Sequence, residues 1–306
     1  MDTTARYCAA DMYLREKFGE KVYRLLLSAG TGCPNRDGTV STLGCSFCKG
    51  DNAAFSEAYC ADAAAQVARA KARIKEKTDA RKFIAYFGVG TATHGDVRRL
   101  ETLFTRTLML PDVVALSLGT RCDALDGEKI AMLTRLNQIK PVWVELGFQT
   151  ANEATARAVN RGYPNDLFLR TVDALRASGI DPIAHLIFSL PGETRADMLR
   201  SVDFVADAGV RGVKIHMLTV LSGTPLEAEY RAGRVPLLSL EAYTDVLIEA
   251  IRRLPPDVVI HRFTGDGAKR DLVAPLWTAD KKRVLNYIRK EFDRQQLRQG
   301  ELRGAL

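Results

Sequence analysis

The chain has 306 residues, of which 46% are hydrophobic and 26% charged, and 44 Lys and Arg against 37 Asp and Glu give a formal net charge of +7. This length and apolar content suffice for one large α/β domain with its own core. No apolar run approaches the roughly 18 residues of a membrane-spanning helix, and no basic and apolar signal-peptide pattern opens the sequence. We therefore expect a cytoplasmic protein that makes no membrane contact.

Apolar and amphipathic segments alternate along the first two thirds of the chain. The predicted strands are 21–27, 82–87, 113–118, 142–148, 183–188 and 212–218. The predicted helices are 59–77, 97–108, 127–139, 151–159, 167–177 and 195–208. Such alternation is typical of parallel strands joined by helical crossovers. It predicts an α/β fold, a partial (β/α)6 TIM-type barrel with a C-terminal helical extension.

The alternation weakens after Leu221. Further helices are predicted at 240–254 and 279–297, with a Pro-Pro break and a short candidate strand, 258–260, between them. We therefore divide the chain into three parts. These are an N-terminal segment, 1–20, the barrel, 21–235, and an extension packed on the barrel, 236–306.

Three of the six cysteines, Cys33, Cys45 and Cys48, lie within sixteen residues. Gly, Pro, Asn, Asp and Ser between them predict a loop, which can wrap three thiolates around one centre. In a reducing compartment such a cluster more often binds metal than forms a disulfide framework. Two centres remain open on spacing alone.

A structural zinc site would need a fourth protein ligand and would make the chain a zinc-stabilised α/β binding or scaffold protein. An iron–sulfur cluster on three cysteines would instead leave one iron open to a small molecule. The loop directly follows the first predicted strand. In a barrel of parallel strands, the loops after the strands gather at one end and carry the site. This position favours the reactive cluster.

Several motifs then resemble one enzyme family. The stretch Cys45-Ser46-Phe47-Cys48 resembles the end of the signature Cys-x-x-x-Cys-x-aromatic-Cys of the radical S-adenosylmethionine (SAM) enzymes. The longer gap after Cys33 resembles the YhcC-like branch of that superfamily, which is allied to the group of the Elongator catalytic subunit. The segments 142–149, 159–162, 190–194, 213–216, 256–262 and 272–277 agree with that branch. The resemblance covers nearly the whole chain.

This resemblance implies a 4Fe-4S cluster on Cys33, Cys45 and Cys48, with SAM bound at its open iron. It implies reductive cleavage of SAM to a 5′-deoxyadenosyl radical, which abstracts hydrogen from a substrate. An electron donor such as flavodoxin or ferredoxin is the implied partner. The alliance with the Elongator group and the basic run 281–283 make RNA one candidate substrate, and a small molecule enclosed by the barrel is the other.

The resemblance also implies a set of SAM-binding residues. They are Phe47, Gly88, Gly90, Thr91, Gln149, Arg161 and Ser189. Phe47 would lie near the adenine and Gln149 near the ribose, whereas Arg161 would pair with the SAM carboxylate through its planar fork. The glycines would let backbone carbonyls approach the SAM ammonium closely. The alternatives are a packing aromatic for Phe47 and a helix-end salt bridge for Arg161.

Two histidines and one aspartate are the candidates for catalysis. His185 and His216 fall in predicted strands, where they could point into the barrel, although a single His is more often structural. Asp266 follows His261 and Arg262 in a polar stretch of the extension, which could close the barrel mouth or bind substrate. The sequence does not separate these roles.

Overall fold

The structure, a computed structural model, describes residues 6–50, 57–265 and 269–303. Its helices are α1 (Ala10–Phe18), α2 (Ala63–Ile74), α3 (Val97–Leu108), α4 (Gly127–Asn137), α5 (Glu153–Ala158), α6 (Asn165–Ala177), α7 (Arg195–Asp207), α8 (Pro225–Arg231), α9 (Leu240–Arg253) and α10 (Lys281–Arg294). Its strands are β1 (Val22–Leu27), β2 (Lys82–Phe87), β3 (Val113–Thr120), β4 (Val142–Gln149), β5 (Asp181–Phe188), β6 (Gly212–Met217), β7 (Val220–Leu221), β8 (Val259–Arg262) and β9 (Leu272–Ala274). The predicted elements are all present, and α1, α8, β7 and β9 were not predicted.

The strands β1, β2, β3, β4, β5, β6 and β8 form one parallel sheet in that order. The sheet is curled, because side chains from its two edge strands meet: Arg24 Nη2 of β1 lies 2.7 Å from His261 Nδ1 of β8. The predicted partial barrel is therefore confirmed. It has seven strands rather than six, since β8 pairs with β6 at Gly212 and Val259. The predicted division at residue 236 thus separates segments that share one sheet.

Polar side chains fix where most of the crossover helices begin. Asp62, Asp96 and Asp126 accept backbone N–H groups at the starts of α2, α3 and α4, as N-cap residues do. Thr194 and Asp197 form a reciprocal capping box at the start of α7. These caps stop each loop at a defined point, so the loops after the strands are held at one end of the barrel.

The opposite end of the barrel is closed by α1. Leu14 of α1 packs in one buried cluster with Ile84, Trp143 and Ile183, which point into the barrel from three strands. The chain ends meet at this point. The amide of Ile260 donates to the carbonyl of Cys8, whose own amide donates to Gln299 Oε1.

The extension packs on the outside of the sheet and also contributes to it. Leu247 and Ile251 of α9 and Ile288 and Phe292 of α10 are at most 2% exposed. The strands β7 and β9 pair antiparallel beside the barrel mouth. Within the described part of the chain, no helix is long and apolar enough to cross a bilayer.

Candidate functional site

The cysteine loop lies at the carboxyl end of β1. Cys33, Cys45 and Cys48 are free thiols, each partly buried. They are close enough to interact electrostatically. The pKa of the Cys45 thiol is raised to about 11, mainly by burial; Arg121 opposes this shift, and the neighbouring Cys48 and Cys33 contribute to it. Cys33 and Cys48 thus lie close enough to Cys45 to affect its ionisation, and their role as cluster ligands remains a prediction.

Two asparagines hold this loop against the segment after α5. Asn35 Nδ2 donates to the carbonyl of Asn160 at 2.6 Å and to Cys45 Sγ at 3.4 Å. Asn160, at φ 55°, donates through Nδ2 to the carbonyl of Gly44 at 2.8 Å. Because each asparagine bridges the two segments, the position of Cys45 depends on the residues that follow β4.

N–H donors surround the thiols. The amide of Gly50 lies 3.3 Å from Cys48 Sγ, and Arg121 Nη1 lies 4.0 Å from Cys45 Sγ. Hydrogen bonds to sulfur are a usual feature of iron–sulfur sites, where they set the reduction potential. Three thiols in one loop, two of them with N–H donors, therefore fit a 4Fe–4S cluster. Across the described residues, no three Cys, His, Asp or Glu side chains converge on a single metal ion.

The loop after β2 holds the cysteine loop from the other side. Gly90 has φ 65°, and a Cβ there would lie 2.6 Å from the carbonyl oxygen of Thr31. The amide of Thr91 donates to the carbonyl of Gly32 at 2.9 Å. The structure thus gives these two residues a contact with the backbone that leads into Cys33. The contact with SAM predicted for them remains a prediction.

Three glycines follow one another across β2, β3 and β4 and form what we call the glycine shelf: Gly88, Gly119 and Gly147. Strand alternation places Gly119 and Gly147 on the face of Ser117 and Glu145, which points into the barrel. Gly88 lies beside them, since a Cβ on Gly119 would be 3.3 Å from the Cα of Gly88. The absence of a Cβ lets two side chains come close to the shelf, since a Cβ on Gly88 would lie 2.5 Å from the Tyr86 ring and a Cβ on Gly147 would lie 2.8 Å from Gln149 Nε2. Of the three, only Gly88 was predicted from the sequence.

Arg161 is buried and connects several backbone segments inside the protein. Its side chain is 1% exposed, and its N–H groups donate to the carbonyls of Tyr163, Phe148 and Thr150 and to Asn165 Oδ1. The SAM carboxylate contact predicted for Arg161 would require it to leave these partners. The arginine that faces the cysteine loop is Arg121, which the sequence reasoning did not select.

The other predicted SAM residues lie around the mouth of the barrel. Phe47 packs against an apolar cluster that includes Val159 and Leu190. Gln149 and Ser189 end β4 and follow β5 with φ 67° and 71°, a backbone region that favours Gly. This geometry explains why a Gly suits the position of Ser189. The SAM contacts of Phe47, Gln149 and Ser189 remain predictions.

A polar layer crosses the barrel interior below the shelf and is centred on Glu145. The Glu145 side chain is fully buried. Its Oε1 accepts from Arg24 Nη1 at 3.0 Å and Ser117 Oγ at 2.8 Å, and its Oε2 accepts from His185 Nε2 at 3.0 Å and from Lys214 Nζ. Burial alone would raise the pKa of Glu145, but Lys214, Arg24 and His185 hold it well below its ordinary value. Glu145 is therefore an ionised carboxylate whose oxygens are fully used.

The histidines of this layer are neutral at pH 7. Burial lowers the pKa of His185 to about 4, and burial holds the pKa values of His216 and His261 well below their ordinary range. The rings of His185 and His216 stack with centroids 5.7 Å apart. The structure thus brings the two predicted histidines together inside the barrel. Asp266 lies outside the described residues.

Comparison with known proteins identifies the family. A model of the Radical SAM superfamily matches residues 27–205, more than half of the chain, and a Radical SAM C-terminal domain matches residues 210–294. The chain belongs to the radical SAM superfamily. A 4Fe–4S cluster and SAM are the cofactors of this superfamily, so the cofactor prediction is confirmed at the level of the family.

Individual relatives confirm the predicted branch. The chain is 38% identical to YtqA of Bacillus subtilis over 98% of this chain and 94% of that protein. It is 35% identical to YhcC of Escherichia coli K12 over 86% and 85% of the two chains. The radical SAM fold of this chain is similar to that of Elp3 from Methanocaldococcus infernus, with a TM-score of 0.69 and 17% identity over 91% of this chain and 64% of that chain.

The radical SAM barrel contains charged residues that sequence reasoning missed. Arg24, Glu145 and Lys214 each stand alone as a charged residue in an otherwise apolar strand core. A lone charge in a buried strand predicts a buried ion pair. That signal could have selected these residues, but it would not have shown which of them are partners.

We predict that Glu193, which lies beside the barrel mouth, makes the stability of the protein depend on pH. Burial raises the pKa of Glu193 to about 7, and its Oε2 is buried without a hydrogen-bond partner in the described structure. The folded state favours the neutral form of Glu193. The contribution of this side chain to the free energy of unfolding is therefore present at pH 4 and is lost as the pH rises through 7. We expect Glu193→Gln to stabilise the protein at pH 8 by about 1–2 kcal/mol, after allowance for partial exposure, and to have little effect at pH 5.

Thermal unfolding at pH 5, 6, 7 and 8 would measure this effect. Glu76→Gln, which changes an exposed glutamate, is the control and should give the same difference from wild type at each pH. A Glu193→Gln difference that does not grow with pH would contradict the assignment.

Proposed function

We propose that this chain is a radical SAM enzyme in which Cys33, Cys45 and Cys48 hold the 4Fe–4S cluster and SAM lies on the glycine shelf beside them. The observation that carries this proposal is the set of three thiols, with N–H donors on Cys45 and Cys48, at the carboxyl end of a parallel half barrel. When bound, the two cofactors supply reductive cleavage of SAM to a 5′-deoxyadenosyl radical, which abstracts hydrogen from a substrate. Flavodoxin or ferredoxin is the type of electron donor required.

Residues around the cysteine loop would keep it in position and limit its charge. Arg121 is fixed by two hydrogen bonds to Asp123 and one to the carbonyl of Arg161 at 2.7 Å. In this position its guanidinium favours thiolate at Cys45, because a positive charge lowers the pKa of a nearby thiol. Asn35 and the amide of Gly50 add hydrogen bonds to sulfur. These contacts would hold the loop while an electron enters.

Residues of the barrel interior would form the substrate pocket. Glu145 and its partners close the floor, so a substrate that enters from the mouth meets His185 and His216 below the shelf. Placing a substrate hydrogen near the cofactor site is a positioning task that a rigid, hydrogen-bonded floor serves. RNA and a small enclosed molecule remain the two candidate substrates. An RNA substrate would bind with a steep salt dependence, because phosphate contacts release counterions.

Anaerobic purification and reconstitution with iron and sulfide would test the proposal. We expect the wild type to contain iron, to show the broad visible absorption of an iron–sulfur cluster, and to form 5′-deoxyadenosine from SAM with a strong reductant. The triple variant Cys33→Ala, Cys45→Ala, Cys48→Ala should lose all three properties.

The chain offers a matched control in its other three cysteines, Cys8, Cys60 and Cys122. Their combined replacement by Ala should leave iron content and 5′-deoxyadenosine formation in place. Zinc without iron in the wild type, or an unchanged cluster in the first triple variant, would contradict the proposed function.

A further inference from the structure

The long gap between Cys33 and Cys45 folds into a closed loop of its own, residues 34–44, which we call the insert. Its neck is closed by the amide of Gly44, which donates to the carbonyl of Asn35 at 2.6 Å. The side chain of Asn35 donates from the same neck to Cys45 Sγ at 3.4 Å. The insert is therefore attached directly to a predicted cluster ligand.

The insert is anchored to two different parts of the barrel mouth. On one side, Asp37 Oδ2 lies 2.6 Å from His94 Nε2, which belongs to the loop after β2. On the other side, Asn160 Nδ2 donates to Ser41 Oγ at 3.2 Å from the segment after α5. These contacts hold the tip of the insert in position, although most of its residues are exposed.

Two apolar side chains of the insert are exposed. Val40 is 41% exposed and Leu43 is 73% exposed. Val40 lies at the edge of a surface cavity of about 340 Å³, since a Cβ on Gly162, which lines that cavity, would be 3.0 Å from Val40 Cγ1. Ala156 and Pro164 also line the cavity. Single exposed apolar residues are normal on a protein surface, but an apolar loop beside a cavity is typical of an interaction site.

The charge beside this apolar surface is positive. Arg157 lines the cavity, is exposed, and forms no ion pair within the described part of the chain. The carboxylate that lines the cavity, that of Glu153, accepts from the amide of Asn165 at 2.5 Å and lies 3.6 Å from Arg161 Nη2. The carboxylate of the insert, that of Asp37, is paired as well. Arg157 thus gives the surface a positive rim, in keeping with the net charge of +7.

We propose that the insert and the adjoining cavity form the docking site of a flavodoxin, the donor of the electron that enters the cluster. The inference rests on the proposed function, because it takes Cys33, Cys45 and Cys48 as cluster ligands. Electron transfer slows steeply with distance, and the insert joins two of these ligands directly. A flavodoxin presents an apolar edge of its flavin among acidic residues, which complements an apolar surface with a positive rim.

Calorimetric titration of the anaerobic, reconstituted holoenzyme with purified oxidised flavodoxin tests this site. We expect Leu43→Ser to weaken binding by about tenfold, as for the loss of one apolar anchor. Arg157→Gln should weaken binding by about threefold at low salt and have no effect at high salt, because salt screens an exposed charge. Both side chains are exposed, so neither substitution disturbs the core.

Matched controls lie at the other end of the barrel. Arg106 is exposed in the last turn of α3, and Met109, which follows this helix, is 65% exposed. Because α3 begins beside the mouth, its last turn is far from the insert. Met109→Ser and Arg106→Gln remove an apolar group and a positive charge there, and both should bind flavodoxin as the wild type does. All four variants should contain as much iron as the wild type.

A second measurement compares two reductants on the same samples. A small chemical reductant needs no docking site, so Leu43→Ser should form 5′-deoxyadenosine with it at the rate of the wild type. With reduced flavodoxin at a concentration below its dissociation constant, the rate of Leu43→Ser should fall by about tenfold, in parallel with the affinity.

Three outcomes would overturn the docking site. They are no binding of flavodoxin to the holoenzyme, a Leu43→Ser affinity equal to that of the wild type, and self-association of the wild type that Leu43→Ser abolishes, which would assign the surface to a second copy of the chain. If these occur in a sample that contains iron and forms 5′-deoxyadenosine with the chemical reductant, they refute the docking site alone. A wild type that lacks iron, or that forms no 5′-deoxyadenosine with that reductant, refutes the proposed function and the docking site with it.

Discussion

Replacement of Glu145 by Ala is expected to destabilise the protein by about 3–5 kcal/mol, because it leaves buried positive charges without their counter-charge. Lys214 is 2% exposed and loses its one carboxylate partner, and Arg24 loses a 3.0 Å contact. Glu145→Gln keeps at most two of the four hydrogen bonds that Glu145 accepts. Its stability should therefore lie between those of the wild type and Glu145→Ala. Urea unfolding at pH 7 would measure both variants.

A surface ion pair provides the control for Glu145. Arg135 binds Glu101 at 2.7 Å, with side chains 57% and 32% exposed, and such pairs contribute about 0–1 kcal/mol. Glu101→Ala should therefore change the free energy of unfolding very little. If Glu145→Ala costs no more than Glu101→Ala, the polar layer is not an electrostatically coupled unit. The double variant Glu145→Leu, Lys214→Met should be more stable than Glu145→Ala, since it removes one of the two stranded charges.

Replacement of Gly119 by Val is expected to weaken SAM binding by up to about 100-fold while the iron content remains that of the wild type. A Cβ at Gly119 already lies 3.3 Å from Gly88 Cα and 3.3 Å from Tyr86 Oη, so the valine methyl groups extend over the glycine shelf. Overpacking of this kind costs about 1–3 kcal/mol, which lowers the affinity for SAM by up to about 100-fold. Anaerobic calorimetry with SAM would measure the affinity, and iron analysis of the same sample would report the cluster.

Gly127 provides the matched control for this substitution. It stands at the first position of α4, and a Cβ there would meet no atom within 4 Å. Gly127→Val should therefore bind SAM as the wild type does. If Gly119→Val binds SAM with the affinity of the wild type, SAM lies away from the glycine shelf.

The fold was largely predictable because strand and helix periods alternate strictly in the barrel. Six strands and the helices between them were found within at most four residues of their bounds. The seventh strand was assigned to the extension, since β8 has only four residues and follows a Pro-Pro break. The first helix, α1, was missed because it has nine residues and only one of them, Leu14, is buried, so its apolar periodicity is weak.

The site was predictable where its chemistry is local in sequence. Cys33, Cys45 and Cys48 lie in one loop, so their spacing alone indicated a common centre. The floor of the barrel was not predictable, because Glu145 meets partners that are 28 to 121 residues away. No short motif encodes such contacts. They follow from strand register, which exists only once the sheet has formed.

Arg161 shows the limit of transferring a role by motif. The resemblance implied a contact with the cofactor carboxylate, with a helix-end salt bridge as the alternative. The structure directs the guanidinium to three backbone carbonyls and places Nη2 3.6 Å from Glu153 Oε2. A buried arginine and a ligand-binding arginine look alike in a sequence. Only the position of the side chain distinguishes them.

The contacts under the barrel between segments far apart in the sequence affect when this part of the protein can fold during biosynthesis. The amide of Cys8 bonds to Gln299, 291 residues later, and the carbonyl of Cys8 accepts from Ile260. The residues at 260 and 299 are made long after Cys8. We therefore expect the hydrogen bonds of Cys8 to form only once residues 260 and 299 have left the exit tunnel, whereas Leu14 of α1 can pack against Ile84, Trp143 and Ile183 earlier.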